Sequence, residues 1–349
     1  MSEAPGPGEA SRAPWRGRYG IALIALALLA TIAVPVYFGG RSAVLATLQL
    51  SALDYALLFC AIACSWIART LKLQLLLRRM HASIGFGHMF EISLATDFGF
   101  LATPAGLGGY AASVYYVRRA GASTSVAAAL TAADQGTDLV FFAAALPVAG
   151  FAFFGTDLPP ALVKAALGTS SALVAIALIA VLARKRLFDW AARSLRNDTG
   201  SPARQRIQHA VAEFLARLRA QARLLAGGGP AFFLAVFALT CVQWIARYGV
   251  LWLVLLLLDH RVSLALLIAL QALVLHVAQW TGVPAGGGGA ELGLTATLAA
   301  WVPAAALATA LLLWRMVTLY LGLIAGAIAI ARLSRRPRTV AAQSAPSPG

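Results

Sequence analysis

The chain has 349 residues, of which 60% are hydrophobic and only 12% charged. A soluble domain carries about 25% charged residues, so this composition excludes an ordinary soluble enzyme or binding module. The net charge of +15 does not point to nucleic acid either, because the positive residues flank apolar segments and no basic soluble face is left to meet a polyanion.

Taken in chain order, six segments satisfy the need for about 20 mainly apolar residues to cross a bilayer. They are Tyr19–Phe38, Leu53–Leu77, Val126–Phe154, Ala161–Leu182, Ala231–Leu258 and Pro303–Ala331. The first lacks a small-residue cleavage site before a soluble domain and reads as a retained helix. Arg12, Arg16 and Arg18, then Arg78/Arg79, Arg118/Arg119, the stretch from Arg184 to Arg223, and Arg332 to Arg338 fall at alternate ends of these segments, with only Arg41, Arg261 and Lys164 opposite. That asymmetry places both termini in the cytoplasm. The tails 1–18 and 333–349, rich in Pro, Ser and Gly, read as disordered. Cys60, Cys64 and Cys241 lie in apolar helices and read as small core residues, with no disulfide and no metal site expected.

Two further apolar blocks are broken in the middle. His88–Val117 contains "TPAGLGGY", and Ser263–Trp301 contains "VPAGGGGA". The first block has arginine-rich flanks at both ends, so it enters and leaves on the cytoplasmic side. The second enters and leaves on the outside. Both read as re-entrant helical hairpins turning at Pro104, Gly106, Gly108 and Gly109, and at Pro284, Gly286 and Gly287. Irregular backbone at that depth requires a protein or water-filled surrounding, as at the broken helices of transporters. Free N–H groups at the half-helix starts are expected to face an anionic group.

The chain also repeats. "SWIART" from Ser65 returns as "QWIARY" from Gln243, Pro104 returns as Pro284, and Asp134 aligns with Arg315, at offsets of 178, 180 and 181. These landmarks define a repeat, 60–150 against 238–328, whose two hairpins open to opposite sides. The expected fold is an all-α polytopic membrane protein, an inverted repeat with about six spanning helices and two re-entrant helical hairpins. Its first membrane half is 19–183 and its second 230–332.

A charge at bilayer depth costs about 2.5–3.5 kcal/mol on insertion scales, so each needs a partner or a purpose. Arg69, Arg247 and Arg315 suit a phosphate through their planar forks of donors. Asp134, Asp138 and Glu291 would balance them or face a cationic headgroup. Together these six are the candidate substrate-binding set. Asp97 and His276, aligned in the repeat, are candidates for proton coupling. Lys72 is expected to snorkel toward the helix end, and Asp54 to be solvated. The polar loop 184–229 has helical apolar spacing from Ser201–Pro202 onward, with Arg204, Arg206, Arg217, Arg219 and Arg223 around it. A helix over 204–225 is expected to lie on the anionic inner leaflet.

The ordered set "WIARTLKLQLLLRR", "FLATPAGLGGYAASVYYVRRAG", "VPAGGGGAELG" and "LLLWRMVTLYL" resembles the lysylphosphatidylglycerol synthetase/flippase-like transmembrane family, the membrane half of the multiple peptide resistance factor and its stand-alone relatives. The match runs over about residues 55–330, with Glu291 and Arg315 at positions where that family places an acid and an arginine. Asp134-Gln135 departs from its frequent Glu-Arg. No aminoacyltransferase domain is expected after Arg338. The resemblance implies a flippase-type module in a bacterial-type inner membrane, moving a phospholipid or isoprenoid-type lipid, without cofactor and without enzymatic activity. The alternatives are an accessory subunit docking on a lipid-synthesis enzyme, including glycolipid and hopanoid pathways, or an intramembrane lipid-linked transferase.

Overall fold

The computed structural model describes residues 15–152 and 202–337, with four isolated positions, Lys164, Gly168, Ser171 and Ala175. The expected span Ala161–Leu182 and most of both tails lie outside the described residues. Every regular element among those described is a helix. In chain order these are α1 (Trp15–Thr47), α2 (Ala52–Arg79), α3 (Phe86–Ala102), α4 (Leu107–Arg119), α5 (Thr124–Ala152), α6 (Pro202–Ala226), α7 (Gly229–Leu257), α8 (Leu264–Trp280), α9 (Gly289–Leu298), α10 (Ala304–Arg315) and α11 (Leu321–Arg335). The last two are joined through one π-helical turn, Met316–Tyr320. Four stretches are long and apolar enough to cross a membrane: Ile24–Thr47, Ala52–Arg79, Gly229–Leu257 and Ala304–Arg335. The chain is thus an all-helical, multi-pass membrane protein.

Local sequence explains the helix limits. Ser51 caps α2, its hydroxyl accepting from the Asp54 amide at 3.2 Å while Asp54 accepts from the Ser51 amide at 2.8 Å. This reciprocal box contributes about 1 kcal/mol and gives the half-buried Asp54 a role beyond solvation. Arg78 and Arg79 close the same helix where its dipole favours cations. The first helix extends past the expected Phe38 to Thr47, bending at Gly40, where φ is 60°.

The buried stripe of α2 runs Leu58, Ile62, Trp66, Arg69, Leu73 and Leu76, at three- and four-residue steps. Cys60 and Cys64 fall off that stripe and are exposed, which corrects their reading as core residues. In a membrane, apolar character does not distinguish a lipid-facing side from an inward one, so composition alone misplaced them. Two apolar clusters form along α2 and its partner α7. One takes Leu58, Ile62 and Trp66 with Val250–Leu255, and the other takes Leu73, Leu76 and Leu77 with Val236. Between them lies the layer that holds Arg69, Lys72, Gln243 and Arg247.

Both broken blocks fold as two helices joined by a short irregular segment that includes one 3-10 turn. The turns Pro104–Gly106 and Pro284–Gly286 have nearly the same backbone: φ is 51° at Ala105 and 52° at Ala285, and 70° and 63° at the following glycines. Left-handed alanine is uncommon and costs about 1 kcal/mol or more, so its occurrence twice at matching positions marks a shared constraint. Thr103 relieves the first break, its hydroxyl donating to the Gly99 carbonyl and accepting from the Gly108 amide, both at 2.7 Å. α3 and α4 then pack so closely that a Cβ on Gly99 would sit 2.6 Å from the Gly108 backbone.

That contact predicts a specific sensitivity. Gly99→Ala has no side chain to push aside and should destabilise the protein by about 1–3 kcal/mol, as overpacking does. Gly249→Ala, whose Cβ would meet nothing within 4 Å, should be neutral or slightly stabilising. Thermal unfolding in detergent compares the two, and equal melting temperatures would contradict the close approach.

Candidate functional site

Four helices bring six charged side chains into one layer. On α2, Arg69 and Lys72 are three residues apart, and on α5 Asp134 and Asp138 are four apart, so each pair shares a helix face. The two faces meet. Arg69 Nη2 donates to Asp134 Oδ2 at 2.9 Å, and Lys72 Nζ lies 2.7 Å from Asp134 Oδ1 and 2.8 Å from Asp138 Oδ1. From α3, Asp97 pairs with Arg69 on one oxygen and with Arg247 of α7, at 3.0 Å, on the other. A separate pair joins Arg315 of α10 to Glu291 of α9 through the arginine Nε.

Lys72 is fully buried, 0% exposed, and bridges two carboxylates. This corrects the expectation that it snorkels. A long flexible stem permits snorkelling only where no carboxylate lies closer than the interface, and here two do.

The charged layer borders a cavity of about 620 Å³. Of the expected site residues, Arg69, Asp97, Asp138, Arg247, His276 and Arg315 line it. Asp134 and Glu291 do not reach it, and stand behind the arginines as their counter-charges. Asp97 and His276 have different surroundings: Asp97 sits between two guanidiniums, while the His276 ring bonds the Ala272 carbonyl at 2.6 Å and packs edge-on against Phe142.

Both turns contribute to this same cavity, through Ala105 and Ala285. Their glycines build the turns instead of lining the space. Gly106 and Gly286 take positive φ, Gly108 and Gly109 let α4 approach α3, and Gly287 lies against Ala27 of α1. The amides of Gly106, Gly108, Gly286 and Gly287 are bonded within their own turns. Those four N–H groups are thus already paired, and arginine side chains supply the positive lining.

Sequence reasoning did not single out the aromatic wall. Phe142, Trp244 and Tyr248 line the cavity, with ring centroids 4.7 Å apart for Phe142–Trp244 and 5.3 Å for Trp244–Tyr248. Trp244 and Tyr248 stand four residues apart on α7, on the same helix as Arg247. Arg315 stacks over Trp314 at 4.5 Å.

Breaking the buried network has a predictable cost. Lys72→Met leaves Asp138 without its ion-pair partner and should destabilise by about 3–5 kcal/mol, the usual penalty for orphaning one member of a buried pair. A snorkelling lysine would tolerate methionine with little change. Melting temperature and yield of folded protein in detergent decide between the two.

Comparison with known proteins follows the same stretch of chain. A UPF0104 membrane protein of Archaeoglobus fulgidus is 23% identical over 285 residues, which cover 76% of this chain and 82% of that protein. The family described as Lysylphosphatidylglycerol synthase TM region matches residues 14–326, and so takes in the charged layer, both broken turns and the cavity. The chain belongs to this lysylphosphatidylglycerol synthase transmembrane-region family.

Proposed function

We propose that this protein moves the polar headgroup of a membrane lipid across the bilayer, by alternating access between two inverted halves. The observation that carries the reading is the cavity. It lies between two apolar clusters, and Arg69, Arg247 and Arg315 from different helices border it together with the tips of both broken turns. A headgroup crossing hydrocarbon alone loses its hydration, and charged side chains lining a cavity offset this cost. In this reading the arginines meet the phosphate, and Asp134, Asp138 and Glu291 hold the arginines in place. The equal backbone of the two Pro-Ala-Gly turns supports the inverted repeat. A carrier is favoured over an enzyme because the carboxylates that border the cavity, Asp97 and Asp138, are each engaged by a cation and so are poorly placed as acid or base.

Helix α6 fits a role at the inner surface of a bacterial-type membrane with both termini cytoplasmic. Leu218 and Leu225 pack against the core beside α2 and α5, while Val211 is exposed. The side of the helix away from that packing is the part offered to an anionic leaflet.

Two experiments test the reading. In liposomes with headgroup-labelled lipid, a membrane-impermeant quencher should reach the inner-leaflet pool when the protein is present. Arg315→Ala should slow this by about tenfold or more, equivalent to about 1.4 kcal/mol, and Arg315→Lys should fall between. No movement of any lipid by well-folded protein would favour the accessory-subunit reading instead. For topology, cysteines at Ala122 and Ser263, at the open ends of the two hairpins, should label from the cytoplasm and from outside respectively in a cysteine-free background. Labelling of both from one side would rule out the inverted arrangement.

A further inference from the structure

The six paired charges form one continuous alternating chain, Asp138–Lys72–Asp134–Arg69–Asp97–Arg247. Each of the four inner members touches two partners of opposite sign. The two ends have one ion-pair partner each, and both ends, one acid and one base, open into the cavity. The chain is electrically balanced, and so is the Arg315–Glu291 pair. The cavity therefore has no net charge to neutralise a bare anion, although arginines line it.

From this arrangement we infer that the ligand is a zwitterionic lipid headgroup, whose phosphate meets Arg247 and Arg315 and whose ammonium meets Asp138. Such a group supplies each end of the chain with its missing second partner and leaves the buried layer neutral. A net anion of the same size would leave one uncompensated charge in a low-dielectric site, where unpaired charge is expensive. Two independent features fit the two poles. At the acidic end, Phe142 stands one turn from Asp138 on α5, and with Trp244 and Tyr248 it offers π faces of the kind that hold ammonium groups. For the phosphate, Arg315 is buried and lines the cavity, and its Nη2 is without a hydrogen-bond partner. Arg247 is the more accessible base, with its side chain 18% exposed.

This inference rests on the lipid-handling reading, and its test reads binding instead of movement. Trp244 and Trp314 line the cavity, so tryptophan fluorescence of the purified full chain in detergent reports occupancy. The probes are glycerophosphoethanolamine, glycerol phosphate and ethanolamine, then dihexanoyl phosphatidylethanolamine against dihexanoyl phosphatidylglycerol. The zwitterion of each set should bind about tenfold tighter than its counterparts of net charge, and the short-chain lipid tighter than the free headgroup. Asp138→Asn should abolish the preference for phosphatidylethanolamine over phosphatidylglycerol. The wild-type comparison stands by itself if that variant does not fold. Glycerol phosphate or phosphatidylglycerol binding as tightly as the zwitterion overturns the inference, as does the absence of binding by every probe. A free headgroup that binds as tightly as the short-chain lipid overturns its lipid half. Protein that binds zwitterions but moves no lipid removes the transport reading alone, and protein that moves lipid without this preference removes the zwitterion assignment alone.

Discussion

Charge pairing in hydrocarbon is the constraint from which the arrangement of helices follows. With little or no water at that depth, an unpaired ion costs several kcal/mol, so each carboxylate and each cation must find a partner on another helix. Asp97 reaches two arginines on two different helices, and Lys72 reaches two acids on one. These contacts fix the register of α2, α3, α5 and α7 more tightly than apolar packing could. Leucine and valine slide against one another with little penalty where lipid is equally apolar, whereas an ion pair slid by one turn is broken. The two apolar clusters seal the layer on either side but do not determine its register.

The broken turns obey the same rule at the level of the backbone. A helix interrupted in oil exposes peptide groups, and each interruption here satisfies them internally. Thr103 carries two of the lost bonds of the first turn, and the Thr281 hydroxyl donates to the Ala278 carbonyl at 2.6 Å beside the second. The interruptions bring one alanine from each turn, Ala105 and Ala285, to the wall of the cavity. The left-handed strain at both alanines is kept because the turn is held from all sides.

Much of this was legible in the sequence, and the failures have a common cause. The turns could be placed to the residue because proline and glycine act through backbone geometry, which is local. Arg69, Arg247 and Arg315 were identified because a charge inside an apolar run is conspicuous. Lys72 was misjudged because its surroundings lie on a helix more than sixty residues away, and a single helix cannot tell a snorkelling lysine from a bridging one. Cys60 and Cys64 were misjudged because the hydrophobic pattern that separates inside from outside in water vanishes when the outside is lipid. Trp244 and Tyr248 escaped notice for the same reason, since an aromatic on an apolar helix carries no mark of facing a cavity.

The two broken turns are alike in sequence and backbone but not in surroundings. Helix α1 lies outside the repeat and covers the second turn. A Cβ on Gly287 would meet the Ala27 carbonyl at 2.5 Å, and Tyr320 of the π-helical turn donates to the Leu28 carbonyl at 2.8 Å while sharing a hydrogen bond with Thr31 at 2.6 Å. Nothing equivalent covers the first turn among the described residues, where Leu107 lines the cavity and is 66% exposed. The second turn is thus held by a packed helix interface, with part-buried hydrogen bonds beside it. The first block is held through α3, where Gly326 lies against Phe98 and Gly322 against Leu101. Each turn is therefore fixed through a different neighbour, α1 for the second and α11 for the first, and close approach at glycine is the means in both cases.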